Sequence, residues 1–290
     1  ADAGFGHRAA ANAVAQALLT RCPDECRVTV VNPLDDKRAP AILRRAQDDY
    51  DRMIQSTPEL YKFGYEASDG SFTVSIAEQG LIAMLYLTMR DIVQQHQPDA
   101  IVTTYPLFQA PLAALFALNR QYIPVLTVVT DLVSVHSLWF NEDIDRCLVP
   151  TEAVRQKALE SGLPPEQIEV TGLPVNPVFG SNPDKAELRR RLGWREDRCV
   201  ALMAGSKRVK KLEPLAHVLN HSGLPLELAI VAGGDKELHN RLSEVEWHLP
   251  AHVYGFVDDM PALMLAADLI VCKAGGLIVS EALAAGLPLL

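Results

Sequence analysis

The sequence predicts an α/β protein made of two doubly wound parallel-sheet domains, on three observations. Short buried-strand runs such as VLTVVT (125–130), LELAIV (226–231) and LIVC (269–272) alternate with helical patterns, as in parallel sheets covered by helices on both faces. That alternation pauses at 172–184, GLPVNPVFGSNPD, whose three prolines and two glycines mark a linker. Finally, 290 residues leave room for two domains, each with its own core. We place the domains at 1–178 and 179–290, facing one another, with the ligand crevice at the strand C-termini and between them.

In chain order, 7–19 reads as a helix whose alanines permit close packing, and the alternation RVTVV over 27–31 reads as a strand stopped by Pro33. Helical spacing recurs over 42–54 and over 73–96, the latter broken or bent near Gly80. A buried strand at 99–104 leads through a turn at Pro106 into a helix at 108–119, followed by strands at 125–130 and 146–149. Thr151 is the predicted N-cap of a helix over 151–161, and a strand at 168–171 closes the first half. The second half repeats the pattern: helix 185–192, strand 199–203, helix 209–221, strand 226–231, helix 236–245. A strand at 253–254, a helix at 260–267 and a strand at 269–272 then lead into the turn Lys273-Ala274-Gly275-Gly276 and an apolar helix carrying Ser280 and Glu281. A glycine turn such as Gly4-Phe5-Gly6 normally follows a buried strand, and 288–290 opens another. The sequence therefore predicts a fragment trimmed at both ends.

Composition excludes several classes. A hydrophobic share of 49% with 22% charged residues is that of an ordinary globular protein. A net charge of −9 argues against a nucleic-acid partner. Five cysteines, an odd number without dense spacing, predict a reducing compartment and no disulfide framework. Cys22 and Cys26 have no second pair or nearby histidine for a metal, so none is predicted. Apolar runs such as 110–118 fall short of the ~20 residues that span a bilayer, and no secretory leader is recognisable.

The turn at 273–276 carries the most chemistry. Glycines between a strand and a helix N-terminus let backbone N–H groups approach an anion, and the helix dipole favours negative charge there. Glu281, farther along that helix, is placed to meet a ribose hydroxyl if a nucleotide phosphate is held above the turn. Taken alone, a Gly-Gly pair is also a plain tight turn. Asp258-Asp259 suits a helix N-terminus better than a metal.

The stretch GFVDDMPALMLAADLIVCKAGG followed by SEALAAGLP resembles the donor-binding half of the GT-B glycosyltransferases that include monogalactosyldiacylglycerol synthases, processive diacylglycerol glucosyltransferases and, more distantly, MurG. Gly4-Phe5-Gly6-His7-Arg8 resembles the family's G-x-G-H-R turn, and VTDL at 129–132 with His136 and Trp139, and GLPV at 172–175 with Phe179, match its glycolipid synthases. The resemblance implies GT-B architecture: two facing Rossmann-like domains, the second incomplete. It also implies transfer of a hexose from UDP-glucose or UDP-galactose to a lipid, diacylglycerol first, with inversion. No cofactor is implied, because the UDP-sugar is a substrate. The expected location is cytoplasmic, peripheral on the inner face of the membrane. Two alternatives stand beside it, a UDP-sugar 2-epimerase and a catalytically inactive UDP- or lipid-binding relative.

Roles follow residue by residue. Position alone leaves His7 open between a capping residue and a functional one; the resemblance places it opposite the acceptor hydroxyl, as the base. Asp131, just past a strand end, is either a cap or a carboxylate that orients His7 or replaces it. His136 and Trp139 form either an acceptor-side polar and apolar pair or a packed loop. Gly205 and Ser206, with Phe256, Lys273, Gly275, Gly276 and Glu281, are the expected donor-binding set. Lys207 and Arg208 are either a diphosphate-neutralising loop or a solvated charge run. Ile278 stands where relatives commonly place Thr. Phe256 lies either beside the base or in the core. Tyr61, Phe63, Tyr65 and Phe72 are either lipid-contacting loop aromatics or the core of a helical hairpin, with Arg44 and Arg45 as nearby basic residues.

Overall fold

The computed structural model describes residues 6–36, 39–41, 43–44, 71–206, 209 and 211–290. The chain divides into two compact units, Ala1–Pro174 and Val175–Leu290, and the division falls inside the Pro- and Gly-rich stretch 172–184.

In the first unit, α1 (Gly6–Arg21) and α2 (Ser71–His96) precede an alternation of β1 (Ile101–Thr103), α3 (Gln109–Asn119), β2 (Val125–Val128), β3 (Arg146–Val149), α4 (Glu152–Glu160) and β4 (Ile168–Val170). The strands form one parallel sheet in the order β1-β2-β3-β4. Thr151 caps α4 as expected, its hydroxyl accepting the Val154 N–H. Leu85 and Met89 of α2, Leu115 of α3 and Val149 and Val154 around β3 and α4 belong to one buried cluster. Each such large side chain contributes about 1.5–3 kcal/mol by leaving water.

Two expectations fail here. Residues 27–31 are not a strand; they run without a ladder partner among the described strands, with Val30 and Val31 exposed. Alternation signals an extended backbone, but a strand also needs a neighbour's N–H and C=O groups. Gly80 does not break its helix either: α2 is continuous over 26 residues. Leu81, Leu85 and Met89 bury one face of it, and that packing offsets the roughly 1 kcal/mol a mid-helix glycine costs. Most of 42–54, together with Arg45, Tyr61, Phe63 and Tyr65 and the side chain of Phe72, lies outside the described residues.

The second unit holds α5 (Lys185–Leu192), β5 (Cys199–Ala204), α6 (Leu212–Asn220), β6 (Leu226–Val231), α7 (Lys236–Ser243), β7 (Ala251–Tyr254), α8 (Met260–Ala266), β8 (Leu269–Cys272) and α9 (Gly276–Ala284). Its parallel sheet has the order β7-β6-β5-β8. Strand β6 is buried throughout, as a strand covered on both faces is, and its one charged residue, Glu227, is met there by the Arg195 N–H at 2.9 Å and by His252 Nε2 at 2.7 Å. Residues 288–290 begin to pair beyond β8 through a parallel Ile270–Leu289 bridge. Asp259 caps α8 by accepting the Ala262 N–H at 3.2 Å, the helix-terminus role read for it from sequence.

One polar cluster anchors this unit. Arg189 of α5 is buried and donates to the carbonyl oxygens of Ala266 and Arg198 and to the Asp268 carboxylate. Asp268 also accepts Lys185 Nζ at 2.7 Å and the Val200 N–H at 2.7 Å. Burial works to raise the Asp268 pKa, but the Lys185, Val200 and Arg189 hydrogen bonds together hold it below the ordinary carboxylate value.

Candidate functional site

In the second unit the strand order reverses beside β5, which has β6 on one side and β8 on the other. Open α/β sheets bind ligands at such a switch point, outside the strand C-termini. Gly205 and Ser206 follow β5, Phe256 follows β7, and Lys273, Gly275 and Gly276 follow β8. The sheet thus places these expected donor-binding residues along one edge.

Glycine is required at two of these turns. A Cβ on Gly205 would lie 2.4 Å from Leu212 Cδ2 and 2.7 Å from the Val231 carbonyl oxygen. Gly233, after β6, has φ +64°, and a Cβ there would lie 2.9 Å from the Gly205 carbonyl oxygen. The Gly205 N–H donates to Val231 O and the Gly233 N–H to Gly255 O. The ends of β5, β6 and β7 are therefore tied backbone to backbone at positions occupied by glycine. The sequence reading passed over Gly233.

Helix α9 starts at that edge. Its N-cap, Gly275, has no side chain to offer the first-turn N–H groups, which leaves them directed at whatever lies above the turn. Lys273 is exposed beside it. Ser280 donates its hydroxyl to Gly276 O at 3.0 Å inside the helix. Ile278 packs against the core, and Phe256 is 61% exposed, which settles the sequence's two readings of it against core packing. Burial pushes the Glu281 carboxyl up to about 7. Lys207 and Arg208 lie outside the described residues.

In the first unit, His7 sits in the first turn of α1 and is gripped from two strand ends. Thr104, after β1, donates its hydroxyl to the His7 carbonyl oxygen at 2.8 Å. Thr130, after β2, places Oγ1 2.7 Å from His7 Nδ1. The Tyr105 ring meets the imidazole edge-on at 4.9 Å between centroids, and Trp139 lies at 6.0 Å. Neither threonine was given a role from the sequence, although Thr130 lies in the VTDL match at 129–132; both also end predicted parallel strands, where such sheets present ligand-facing groups.

The Asp131 carboxylate accepts the Trp139 indole N–H at 2.9 Å. Burial raises its pKa above the ordinary carboxylate value, against the lowering effect of that hydrogen bond. Trp139 is 1% exposed and packs in the wall beside His7, the packed-loop alternative of its two readings, and is not a membrane-exposed residue. His136 is buried and accepts the Leu138 N–H through Nδ1 at 3.1 Å, capping the short 3-10 turn Ser137–Trp139. That bond leaves the proton of a neutral His136 on Nε2, an arrangement for donating rather than accepting a proton. Among the described residues, no group of three or more His, Cys, Asp or Glu side chains is placed to hold a metal.

Residues 7–175 match the family model of monogalactosyldiacylglycerol (MGDG) synthase. The chain belongs to that family. Residues 201–290 match the C-terminal domain of glycosyltransferase family 28. The MGDG synthase match takes in His7, Thr104, Thr130, Asp131, His136 and Trp139, and the family 28 match takes in the switch-point loops. A probable chloroplastic monogalactosyldiacylglycerol synthase of Glycine max is 34% identical over the whole of this chain and 56% of its own length. The chloroplastic monogalactosyldiacylglycerol synthase of Spinacia oleracea is 33% identical over the whole chain and 57% of its own length. The chain therefore spans a little over half the length of these curated relatives. Among solved structures, a putative UDP-N-acetylglucosamine 2-epimerase from Listeria monocytogenes superposes with a TM-score of 0.54 at 17% identity, covering 72% of this chain and 60% of that one. That likeness concerns the fold. Two α/β units with parallel sheets are the building plan of the GT-B enzymes, the class expected from sequence.

Proposed function

We propose that this MGDG synthase family member transfers a hexose from a UDP-sugar to diacylglycerol with inversion, His7 taking the proton of the acceptor hydroxyl. The match of residues 7–175 to the MGDG synthase family carries this reading. The names of the curated relatives make galactose the first sugar to test, and UDP-glucose the second. UDP lies over these glycine-bearing strand ends, its diphosphate over the N-terminus of α9 beside Lys273, Glu281 on the ribose and Phe256 beside the base. The α9 dipole contributes about 0.3–1 kcal/mol toward the departing diphosphate, and the ammonium of Lys273 adds to it. The acceptor oxygen attacks the anomeric carbon, the bond to the diphosphate breaks, and UDP departs with the electron pair. The proton passes to His7 Nε2, an imidazole nitrogen being the usual side-chain base at neutral pH.

The acceptor is a membrane lipid, so the protein works as a peripheral binder. No helix among the described residues is long and apolar enough to cross a membrane. With a net charge of −9, contact with an anionic bilayer rests on apolar insertion at least as much as on charge, through Phe63, Phe72 and their aromatic neighbours. The catalytic assignment is tested by His7→Ala: transfer falls by roughly 10²–10⁴-fold while UDP affinity by calorimetry holds. Undiminished transfer would move the base to Asp131; lost UDP binding would make His7 a donor or folding residue.

A further inference from the structure

We propose that His239 is a donor-binding residue whose imidazole reads the polar edge of the nucleobase; the proposal rests on the reading of the switch-point edge of the second unit as the UDP site. Helix α7 opens directly after the Gly233-Gly234 turn, and its cap, Asp235, accepts the Leu238 N–H at 3.0 Å. Leu238 and Leu242 are buried in the core beneath, which fixes the rotation of this short helix about its axis. His239, beside Leu238, is thereby set toward the end of β7. A Cβ built on Gly255 would lie 3.7 Å from His239 Cδ2, so the imidazole stands within van der Waals reach of the backbone where β7 ends. The Gly233 N–H, donating to Gly255 O at 3.1 Å, closes the same corner from the loop after β6.

Phe256 follows Gly255, and its side chain is 61% exposed at this edge of the sheet. A flat base laid on such a ring stacks with it and removes apolar surface from water. The polar edge of the base then needs partners, and His239 supplies one. Its backbone is committed, the N–H to Asp235 O at 3.0 Å and the carbonyl oxygen to the Ser243 hydroxyl at 2.8 Å. Its ring is half-buried and meets no hydrogen-bond partner among the described residues. A neutral imidazole carries one N–H and one lone pair in either tautomer. The uracil edge carries two carbonyl oxygens with an N–H between them, so the ring matches it whichever nitrogen holds the proton.

His239→Ala and His239→Gln, titrated by calorimetry with UDP and, in competition, with inorganic diphosphate, test the proposal. His239→Ala is expected to weaken UDP by roughly three- to tenfold, the worth of one hydrogen bond between neutral groups, and to leave the diphosphate affinity as it was. His239→Gln, whose amide also donates and accepts, recovers most of the UDP affinity. In transfer from UDP-galactose to diacylglycerol the loss falls on KM and not on kcat, because the base lies away from the reacting atoms. Equal weakening of UDP and diphosphate would assign His239 to packing and overturn the proposal, as would an unchanged UDP affinity. A measurement on the unaltered chain covers the case in which the variants fail to fold. Irradiation with 4-thiouridine diphosphate, whose photoreactive sulfur sits on the polar edge of the base, is expected to label the tryptic peptide 237–241 that carries His239, with UDP protecting it; label confined to other peptides overturns the role of His239. UDP binding that Glu281→Gln weakens and His239→Ala does not would overturn His239 alone, whereas no UDP binding by the parent chain would overturn the donor reading and this proposal with it.

Discussion

Replacing Glu281 with Gln tests the donor site and its energetics together. Burial raises its carboxyl from 4.5 to about 7, and each unit corresponds to about 1.4 kcal/mol between the two protonation states. Keeping Glu281 ionised in the folded chain therefore costs about 3 kcal/mol. For a carboxyl whose folded pKa is raised, stability is complete below the unfolded value near 4.5 and is lost as pH climbs to about 7, beyond which the loss is constant. Glu281→Gln keeps the shape and removes the titration. In urea unfolding it should match the parent chain at pH 4 and exceed it by up to about 3 kcal/mol at pH 8. A ribose hydroxyl donating to Glu281 favours the carboxylate, so UDP binding expels a proton near pH 7 and tightens as pH rises through that value. Calorimetry in buffers of different ionisation enthalpy reads that proton directly. The Gln variant should lose the proton release and about 1.5–3 kcal/mol of UDP affinity, the range for hydrogen bonds to charged groups. A stability gap that does not change between pH 4 and 8, with unaltered UDP binding, would refute both the buried-carboxyl account and the ribose contact.

Two other substitutions probe the frame of the second unit. Gly205→Ala forces a Cβ onto Leu212 and the Val231 carbonyl and is expected to cost about 1–3 kcal/mol by overpacking, with weakened UDP binding, read by urea unfolding and calorimetry; a variant of full stability would show that the β5 loop has room to spare. Asp268→Asn removes the charge shared by Arg189 and Lys185 and should cost about 1.5–3 kcal/mol at pH 7. Because the Asp268 pKa is lowered, its stabilisation holds above the ordinary carboxylate range and fades as pH falls through the depressed value, so the gap between parent and variant should shrink on acidification; a gap that stays constant would assign the loss to packing.

Elements with a strong local pattern were legible in the sequence. The boundaries of β3, α5, β6 and β8 agree with the apolar runs and helical spacing read for them. What failed was whatever depends on a distant partner. Residues 27–31 alternate like a strand yet have no ladder partner among the described strands, and Gly80 is carried through α2 by the buried Leu81 and Leu85 that follow it. The surroundings of His7 show the same limit. Its position beside Gly6 was visible, but Thr104 and Thr130 reach it across 97 and 123 residues of sequence, which no local pattern encodes. Gly233 was hidden for a similar reason, since a side chain there would meet the Gly205 carbonyl in the loop after β5.

The central claim is sugar transfer to a lipid. Its most direct test is incubation of the chain with radiolabelled UDP-galactose, or UDP-glucose, and liposomes containing diacylglycerol, followed by extraction of the lipid. The account predicts a labelled monohexosyl diacylglycerol of inverted anomeric configuration, formed together with UDP and abolished by His7→Ala. Tight UDP binding with no labelled lipid, or interconversion of UDP-N-acetylglucosamine without any acceptor, would contradict it.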